Sequence, residues 1–253
     1  MASSERTSTI ARQPWRIVIV YGGAKGLTSR TTTLTGPGAW ASPSLAVGDF
    51  DHDGGTDLVA TVTGGDANAV LLFRDVRDRP VTATASPLQT KGEEVGPISQ
   101  IAGDFTGDGY TDLVTLVRSS IDGEPAEKRA ELRRGSSSGL GAPTALSSDI
   151  GRAAVAGDVN GDGRADLIAA TGGGDGDRSD PPEGILVFLG TGSGLGAPKK
   201  FTQDAGAVTI LRGAAGGLTT KGAELRPEHR ARAGRRGDGR RLRRRAVAGG
   251  PDG

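Results

Sequence analysis

Short apolar stretches rich in Val, Ile, Leu and Thr punctuate this chain between clusters of glycine, aspartate and serine, and their brevity predicts strands rather than helices. The first is Trp15-Arg16-Ile17-Val18-Ile19-Val20-Tyr21. Further along come Leu58-Val59-Ala60-Thr61-Val62, Leu113-Val114-Thr115-Leu116-Val117 and Leu167-Ile168-Ala169-Ala170. Each follows a shorter apolar run such as Ala153-Ala154-Val155-Ala156, as the second arm of a hairpin follows the first. The chain reads as all-β.

One nine-residue segment joins the arms in all three cases: Asp49-Phe50-Asp51-His52-Asp53-Gly54-Gly55-Thr56-Asp57, Asp104-Phe105-Thr106-Gly107-Asp108-Gly109-Tyr110-Thr111-Asp112 and Asp158-Val159-Asn160-Gly161-Asp162-Gly163-Arg164-Ala165-Asp166. Oxygen-bearing side chains fall at positions 1, 3, 5 and 9, and glycine stands at position 6. Calcium takes about six to eight hard oxygen ligands, and one short loop supplies them only if alternate side chains turn inward around a sharp bend. The position-6 glycine permits that bend through a positive φ. The carbonyl of position 7 (Gly55, Tyr110 or Arg164) can then face the ion, and the closing aspartate completes the cage. Position 12 is Ala60, Thr115 or Ala169, which lack the bidentate carboxylate of an EF-hand.

A second motif places a glycine, three small residues and Gly-Leu after a strand: Leu132 to Leu140, Phe188 to Leu195, Leu211 to Leu218, with an earlier form at Gly22 to Leu27. No Gly-Lys-Ser/Thr and no helical pattern follow, so these glycines predict tight turns rather than a phosphate cradle, with the leucine packing back on the sheet. Residues 70–78 occupy the slot of a copy that has lost its glycines. Asp49, Asp104 and Asp158 recur at a nearly constant interval, and the same interval separates Leu140 from Leu195. A repeat of about 55 residues holding four strands matches a propeller blade. In residues 98–148 the strands are expected near 98–104, 112–118, 130–134 and 143–147.

Together, the Gly-Asp-Phe/Val-x-x-Asp-Gly-x-x-Asp-Leu hairpins and Leu-Gly-x-x-x-Gly-Leu turns resemble the FG-GAP repeat, also called the VCBS repeat, of integrin α-subunit propellers and many bacterial secreted proteins. The resemblance covers residues 15–225. It implies a β-propeller with four antiparallel strands per blade, here about three blades plus partial ones. It also implies Ca2+ held by Asp49, Asp51, Asp53 and Asp57; by Asp104, Thr106, Asp108 and Asp112; and by Asp158, Asn160, Asp162 and Asp166. The implied role is binding of a protein or carbohydrate ligand, or adhesion, outside the cell. An accessory domain of a secreted hydrolase is the alternative. Three blades fall short of a closed ring, so the open edges call for self-association or a missing propeller half. From Gly206 onward the chain resembles the second half of a blade with no calcium hairpin before it.

Composition adds limits. With 43 Gly and 13 Pro the chain is rich in turns, and without cysteine it has no disulfides. No stretch is long and apolar enough for a membrane span, and residues 1–14 lack the apolar core of a signal peptide. Catalysis finds little footing: the two histidines are His52, inside a loop, and His229, and the paired carboxylates recur in every repeat rather than forming one constellation. Asp175 and Asp177 read as solvated loop charges, Trp15 and Trp40 as packing residues, and Phe50, Phe105 and Val159, sharing position 2, as contacts between blades.

The tail, residues 226–253, differs in kind. Ten arginines against Glu228, Asp238 and Asp252 give it a net charge of +7, so the remainder, in a chain of net +1, carries −6. A polyanion or nucleic-acid arm is one reading, but the tail has no aromatic or helical pattern to accompany its charge. CGN arginine codons read one nucleotide later become GNN codons for Asp, Gly, Ala and Val, so a frameshifted continuation of the repeat fits better. Sequencing the gene across codons 220–253 is expected to expose a Gly-Asp-rich repeat in another frame. Its absence, together with salt-sensitive DNA binding lost on truncation at residue 225, would establish the arm instead.

Overall fold

The computed structural model describes residues 15–36, 44–62, 68–77, 83–88, 94–95, 99–120, 127–146, 150–171, 184–202, 208–209, 212–214, 217–219 and 224–225. Trp40, Asp175, Asp177, His229, residues 1–14 and the tail lie outside them, and of Trp15 the backbone alone is described.

All regular structure among these residues is β. β1 (Trp15–Gly23) and β2 (Gly26–Gly36) form a hairpin. β3 (Ser44–Gly48), β4 (Asp57–Val62), β5 (Ala69–Phe73) and β6 (Ala83–Pro87) form a four-stranded antiparallel meander. The second sheet repeats it with β8 (Ser99–Gly103), β9 (Asp112–Ser120), β10 (Glu127–Arg133) and β11 (Thr144–Ala145), while β7 (Glu94–Val95) extends the pairing at the far end of β9. The third has β12 (Ile150–Gly157), β13 (Asp166–Thr171), β14 (Gly184–Phe188) and β17 (Lys199–Thr202), with a small turn ladder of β15 (Gly190–Thr191) and β16 (Gly194–Leu195). A last hairpin pairs β18 (Val208–Thr209) with β21 (Glu224–Leu225) and β19 (Arg212–Ala214) with β20 (Gly217–Thr219). The four strands expected in residues 98–148 are all present.

The sheets are consecutive blades of an open, propeller-like arrangement. Their first strands lie side by side, β3 against β8 and β8 against β12. Each interface is a separate apolar cluster. Ile17 and Leu34 of the leading hairpin pack with Leu58, Leu71 and Phe73 of the first blade. Phe50, Val59 and Leu72 of that blade meet Leu113 and Val117 of the second, and Phe105, Val114 and Leu132 of the second meet Leu167, Leu186 and Phe188 of the third. Phe50 and Phe105 are fully buried, in the inter-blade place their shared position suggests.

Tight contact between blades also explains the second motif. A Cβ at Gly135 would lie 2.9 Å from the carbonyl oxygen of Phe50, at Gly190 2.8 Å from that of Phe105, and at Gly213 it would run into that of Val159. Each of these glycines lets its blade approach position 2 of the preceding loop. Gly213 takes this place less than half a repeat after Gly190. The last hairpin therefore docks where the second half of a fourth blade would lie, and among the described residues no first two strands of that blade accompany it. In the first blade the matching residue, following β5, is Asp75 with φ 50°, the place where the sequence had lost its glycines. The leucine expected to pack back does so at Leu140 and Leu195 but not at Leu27. That side chain is 82% exposed.

One interface carries charge. The side chains of Glu131 and Arg133 are almost wholly buried and paired at 3.1 Å, and Arg133 also donates to the carbonyl of Pro87 in the first blade at 2.8 Å. Register places Leu71 and Phe73, and Leu186 and Phe188, at the matching points of the other blades. A buried pair broken on one side costs about 3–5 kcal/mol, whereas a well-packed apolar replacement of both is often neutral or better. Arg133→Met is thus expected to lose about that much in urea unfolding, and Glu131→Leu with Arg133→Phe to regain it. A double variant as unstable as the single one would show that the pair itself holds the interface.

Candidate metal-binding loops

The three nine-residue segments join the first and second strands of their blades, as the sequence pattern requires, and lie on the same edge as the glycine turns. Their internal geometry repeats. Position 1 folds its carboxylate back over the loop: Asp104 Oδ1 accepts from the N–H groups of Gly107 (2.6 Å) and Asp108 (3.2 Å), and its Oδ2 from Gly109 (2.9 Å). Asp158 makes the same bonds to Gly161, Asp162 and Gly163, and Asp49 accepts from Asp53 and Gly54. Position 5 accepts from the N–H of position 7 in Asp53, Asp108 and Asp162. The glycines at position 6 have φ of 83°, 89° and 84°, the left-handed bend the spacing predicts. Position 4 is left-handed too, at Gly107, Gly161 and, unusually for a residue with a side chain, His52 with φ 56°. The sequence reading missed this second bend, although two of its three residues are glycine.

Position 9 has a structural duty beyond closing the loop. Asp57, Asp112 and Asp166 are fully buried. In each, Oδ2 accepts from the N–H of position 2 (Phe50 2.9 Å, Phe105 3.1 Å, Val159 2.9 Å), and Oδ1 accepts from the N–H that follows or nearly follows the third strand (Asp75 2.9 Å, Gly135 2.9 Å, Gly190 2.8 Å). Successive loops are stacked by a second repeating contact. The position-8 N–H of one loop donates to the position-1 carbonyl of the loop before it, Thr111 to Asp49 at 2.9 Å and Ala165 to Asp104 at 2.8 Å.

Acidic oxygens converge most closely in the first loop. Among the described residues, Asp49, Asp51 and Asp57 are the only group of three acidic, histidine or cysteine side chains offering atoms within 4.8 Å of one another. Asp51 Oδ1 is buried with no hydrogen-bond partner. An orphaned oxygen among carboxylates is the condition a hard cation relieves, so the residues present fit calcium. Asp53 lies outside that group. In the second and third loops position 3 is neutral: the Thr106 hydroxyl turns to Asp104 Oδ1, and the Asn160 amide donates to Asp162 Oδ2.

The electrostatics agree. Burial, aided by the charges of Asp108 and Asp104, pushes the Asp112 carboxyl up to about 6 against the opposing N–H bonds. Burial likewise raises Asp51, where Asp53 and Asp49 add to it, and Asp57. At Asp108 the upward push of burial is outweighed by the Tyr110 N–H, the Thr106 hydroxyl and Arg134. Backbone N–H groups, foremost those of Gly163 and Arg164, lower Asp158 and Asp162.

Three neighbours of the loops were not identified from sequence. Arg74 and Arg134, each just after a third strand, reach Asp51 and Asp108 at 3.3 and 3.2 Å. Asp75 stands beside Gly55, its Oδ1 3.4 Å from where a Cβ there would be. Beside the second loop, Asp108, Tyr110, Arg134, Ser136 and Ser137 line an open groove of about 400 Å³, and the Tyr110 ring meets His52 of the first loop at 5.4 Å between centroids.

A family profile described as FG-GAP repeat matches residues 150–189, the stretch from β12 through the third loop to the turn after β14. Residues 150–189 are thus an FG-GAP repeat, and the first two blades carry the same loop at the same place in the same kind of sheet. No curated protein matches the chain. The repeat points to a β-propeller module of the ligand-binding or adhesion type; such domains are typically non-catalytic and occur in extracellular proteins. No helix among the described residues is long and apolar enough to cross a membrane.

Glycine at position 6 can be tested apart from any ion. A Cβ on Gly163 would meet nothing within 4 Å, so Gly163→Ala strains only the backbone, at a cost of about 1–2 kcal/mol for a left-handed residue. Gly157, equally uncrowded but without a positive φ, is the control. Urea unfolding in chelator is expected to show that loss for Gly163→Ala and none for Gly157→Ala. Equal stabilities would remove the left-handed bend from the account.

Proposed function

We propose that this chain is a non-catalytic, calcium-binding β-propeller module that presents its loop-bearing edge to a protein or carbohydrate ligand outside the cell. The observation that carries the reading is Asp51 Oδ1, buried and unpartnered beside Asp49 and Asp57, in a loop whose fold recurs in two further blades. Ligands would be Asp49, Asp51, Asp53 and Asp57 in the first blade; Asp104, Thr106, Asp108 and Asp112 in the second; Asp158, Asn160, Asp162 and Asp166 in the third. The carbonyls of Gly55, Tyr110 and Arg164 would complete the sets. The ion's role is structural: it neutralises carboxylates that the fold forces together, and so fixes the edge on which the groove between Tyr110, Arg134 and Ser136 opens. Affinities of roughly 10⁻⁴ to 10⁻³ M, usual for extracellular modules, suit such exposed loops.

Thermal unfolding of the chain with and without millimolar calcium, with magnesium as control, tests this. At ten times its dissociation constant each independent site adds about 1.4 kcal/mol, so the midpoint is expected to rise with calcium and not with magnesium. A cooperative transition indifferent to calcium would leave the propeller standing and remove the metal.

A further inference from the structure

Taking the calcium reading above as its basis, we propose that the three loops fill in order. The first is open to the ion, while in the second and third an arginine of the chain itself holds the position-5 oxygen that the ion needs.

The difference lies in which oxygen each arginine takes. In the first loop Arg74 Nη1 sits 3.3 Å from Asp51 Oδ2. That contact engages one oxygen of a side chain only 7% exposed and leaves Oδ1 buried and without a partner, in the residue that comes together with Asp49 and Asp57. Arg74 therefore orients a ligand rather than replacing the ion. In the second loop Asp108 Oδ1 already accepts from the Tyr110 N–H at 3.1 Å, and Arg134 Nη2 takes Oδ2 at 3.2 Å. No oxygen of that carboxylate is left without a donor. Arg134 follows its strand just as Arg74 does, but position 3 beside it is the neutral Thr106, so its guanidinium goes to position 5. The third loop reaches the same state by another route. Asp162 Oδ1 accepts from the Arg164 N–H at 2.9 Å, and Oδ2 receives both the Asn160 amide at 3.0 Å and Arg164 Nη1 at 3.3 Å. Here the arginine comes from position 7 of the loop itself.

Ligand charge sets calcium affinity in such loops. The first loop offers four aspartates, the others three each; one in every loop meets an arginine, so the first keeps three carboxylates clear of arginine and the others two. These are exposed ion pairs, weak enough for a divalent ion to displace. They keep the second and third loops folded when calcium is scarce and yield when it is abundant.

Calorimetric titration of the full chain with calcium chloride distinguishes the loops. The parent is expected to show one site at least ten-fold tighter than the other two. Asp51→Asn should abolish the tight phase and keep the weak pair. Arg134→Gln and Arg164→Gln, both at half-exposed positions where loss of the fold is not expected, should each tighten one weak site three- to ten-fold and leave the tight one unmoved. Three sites of equal affinity, or weak sites indifferent to both arginine substitutions, would overturn the ordering while leaving calcium in place. If neither the parent nor the arginine variants bind calcium, the metal reading falls and the ordering with it.

Discussion

A carboxylate buried in a β-sheet survives only if hydrogen bonds replace the water it has lost. Asp57, Asp112 and Asp166 meet that condition by dividing their oxygens between two backbone N–H groups, one in the loop they close and one beyond the third strand. Each thereby ties three strands of a blade at one corner. The loop conformation, the position of the glycine turn and the edge on which both lie all follow from that clasp. Since every bond is to backbone, no neighbouring side chain has to be retained for the blade to repeat it.

Blade stacking depends on the same corner. With position 2 pinned by the clasp, its carbonyl points at the next blade, where Gly135 and Gly190, crowded already by the Thr111 and Ala165 carbonyls of their own loops, leave room for contact. Phe50 and Phe105 hang from the same residues into the interfaces. The aspartate thus fixes both the polar contact at the rim and the apolar contact beneath it. Asp75 tells the same story by exception: the first blade has no loop before it among the described residues, and there alone the glycine is replaced by a residue with a side chain.

Most of the blade plan was legible because it repeats. The steady interval from Asp49 to Asp104 to Asp158 places hairpins and turns in phase, and β-branched runs fix the strands between them, so β8 to β11 fall where the pattern puts them. The left-handed glycine at position 6 was legible from a single residue type. Much of what escaped depends on contacts between segments that lie far apart in the chain. The glycines of the second motif predict turns, whereas Gly135 and Gly190 are crowded by the Thr111 and Ala165 carbonyls of their own loops as well as by those of Phe50 and Phe105 in the preceding blade, and Gly213 by that of Val159 in the preceding blade. Arg74 and Arg134 gave no signal because a lone arginine after a strand is ordinary until the fold sets it against an acidic loop. Leu27 misled for the converse reason: the motif is intact, but among the described residues no preceding blade stands against its hairpin, and the leucine is exposed.

The inner strands show how far the arc is self-sufficient. β8 is covered on both faces, with Ile101 turned toward the third blade and Ala102 toward the first. β3 turns Ala46 to the second blade, and alternation sends Leu45 and Val47 the other way, where they are 45% and 62% exposed. β12 turns Ala154 and Ala156 inward and leaves Val155 62% exposed on its outer face. The leading hairpin shields β4 and β5 but does not reach across β3, and among the described residues no first strand accompanies the last hairpin to lie against β12. Among the described residues the exposed large apolar side chains thus fall in two places, Leu45, Val47 and Val155 on the outer faces of β3 and β12, and Val18, Val20 and Leu27 on the leading hairpin. The outer faces of β3 and β12 also bound the ladder of loops, whose stacking bonds among the described residues run from Ala165 to Asp104 and from Thr111 to Asp49. Those exposed faces and the bounds of the ladder are thus two signs of one geometry: each blade is built to be completed by the first strand of its neighbour.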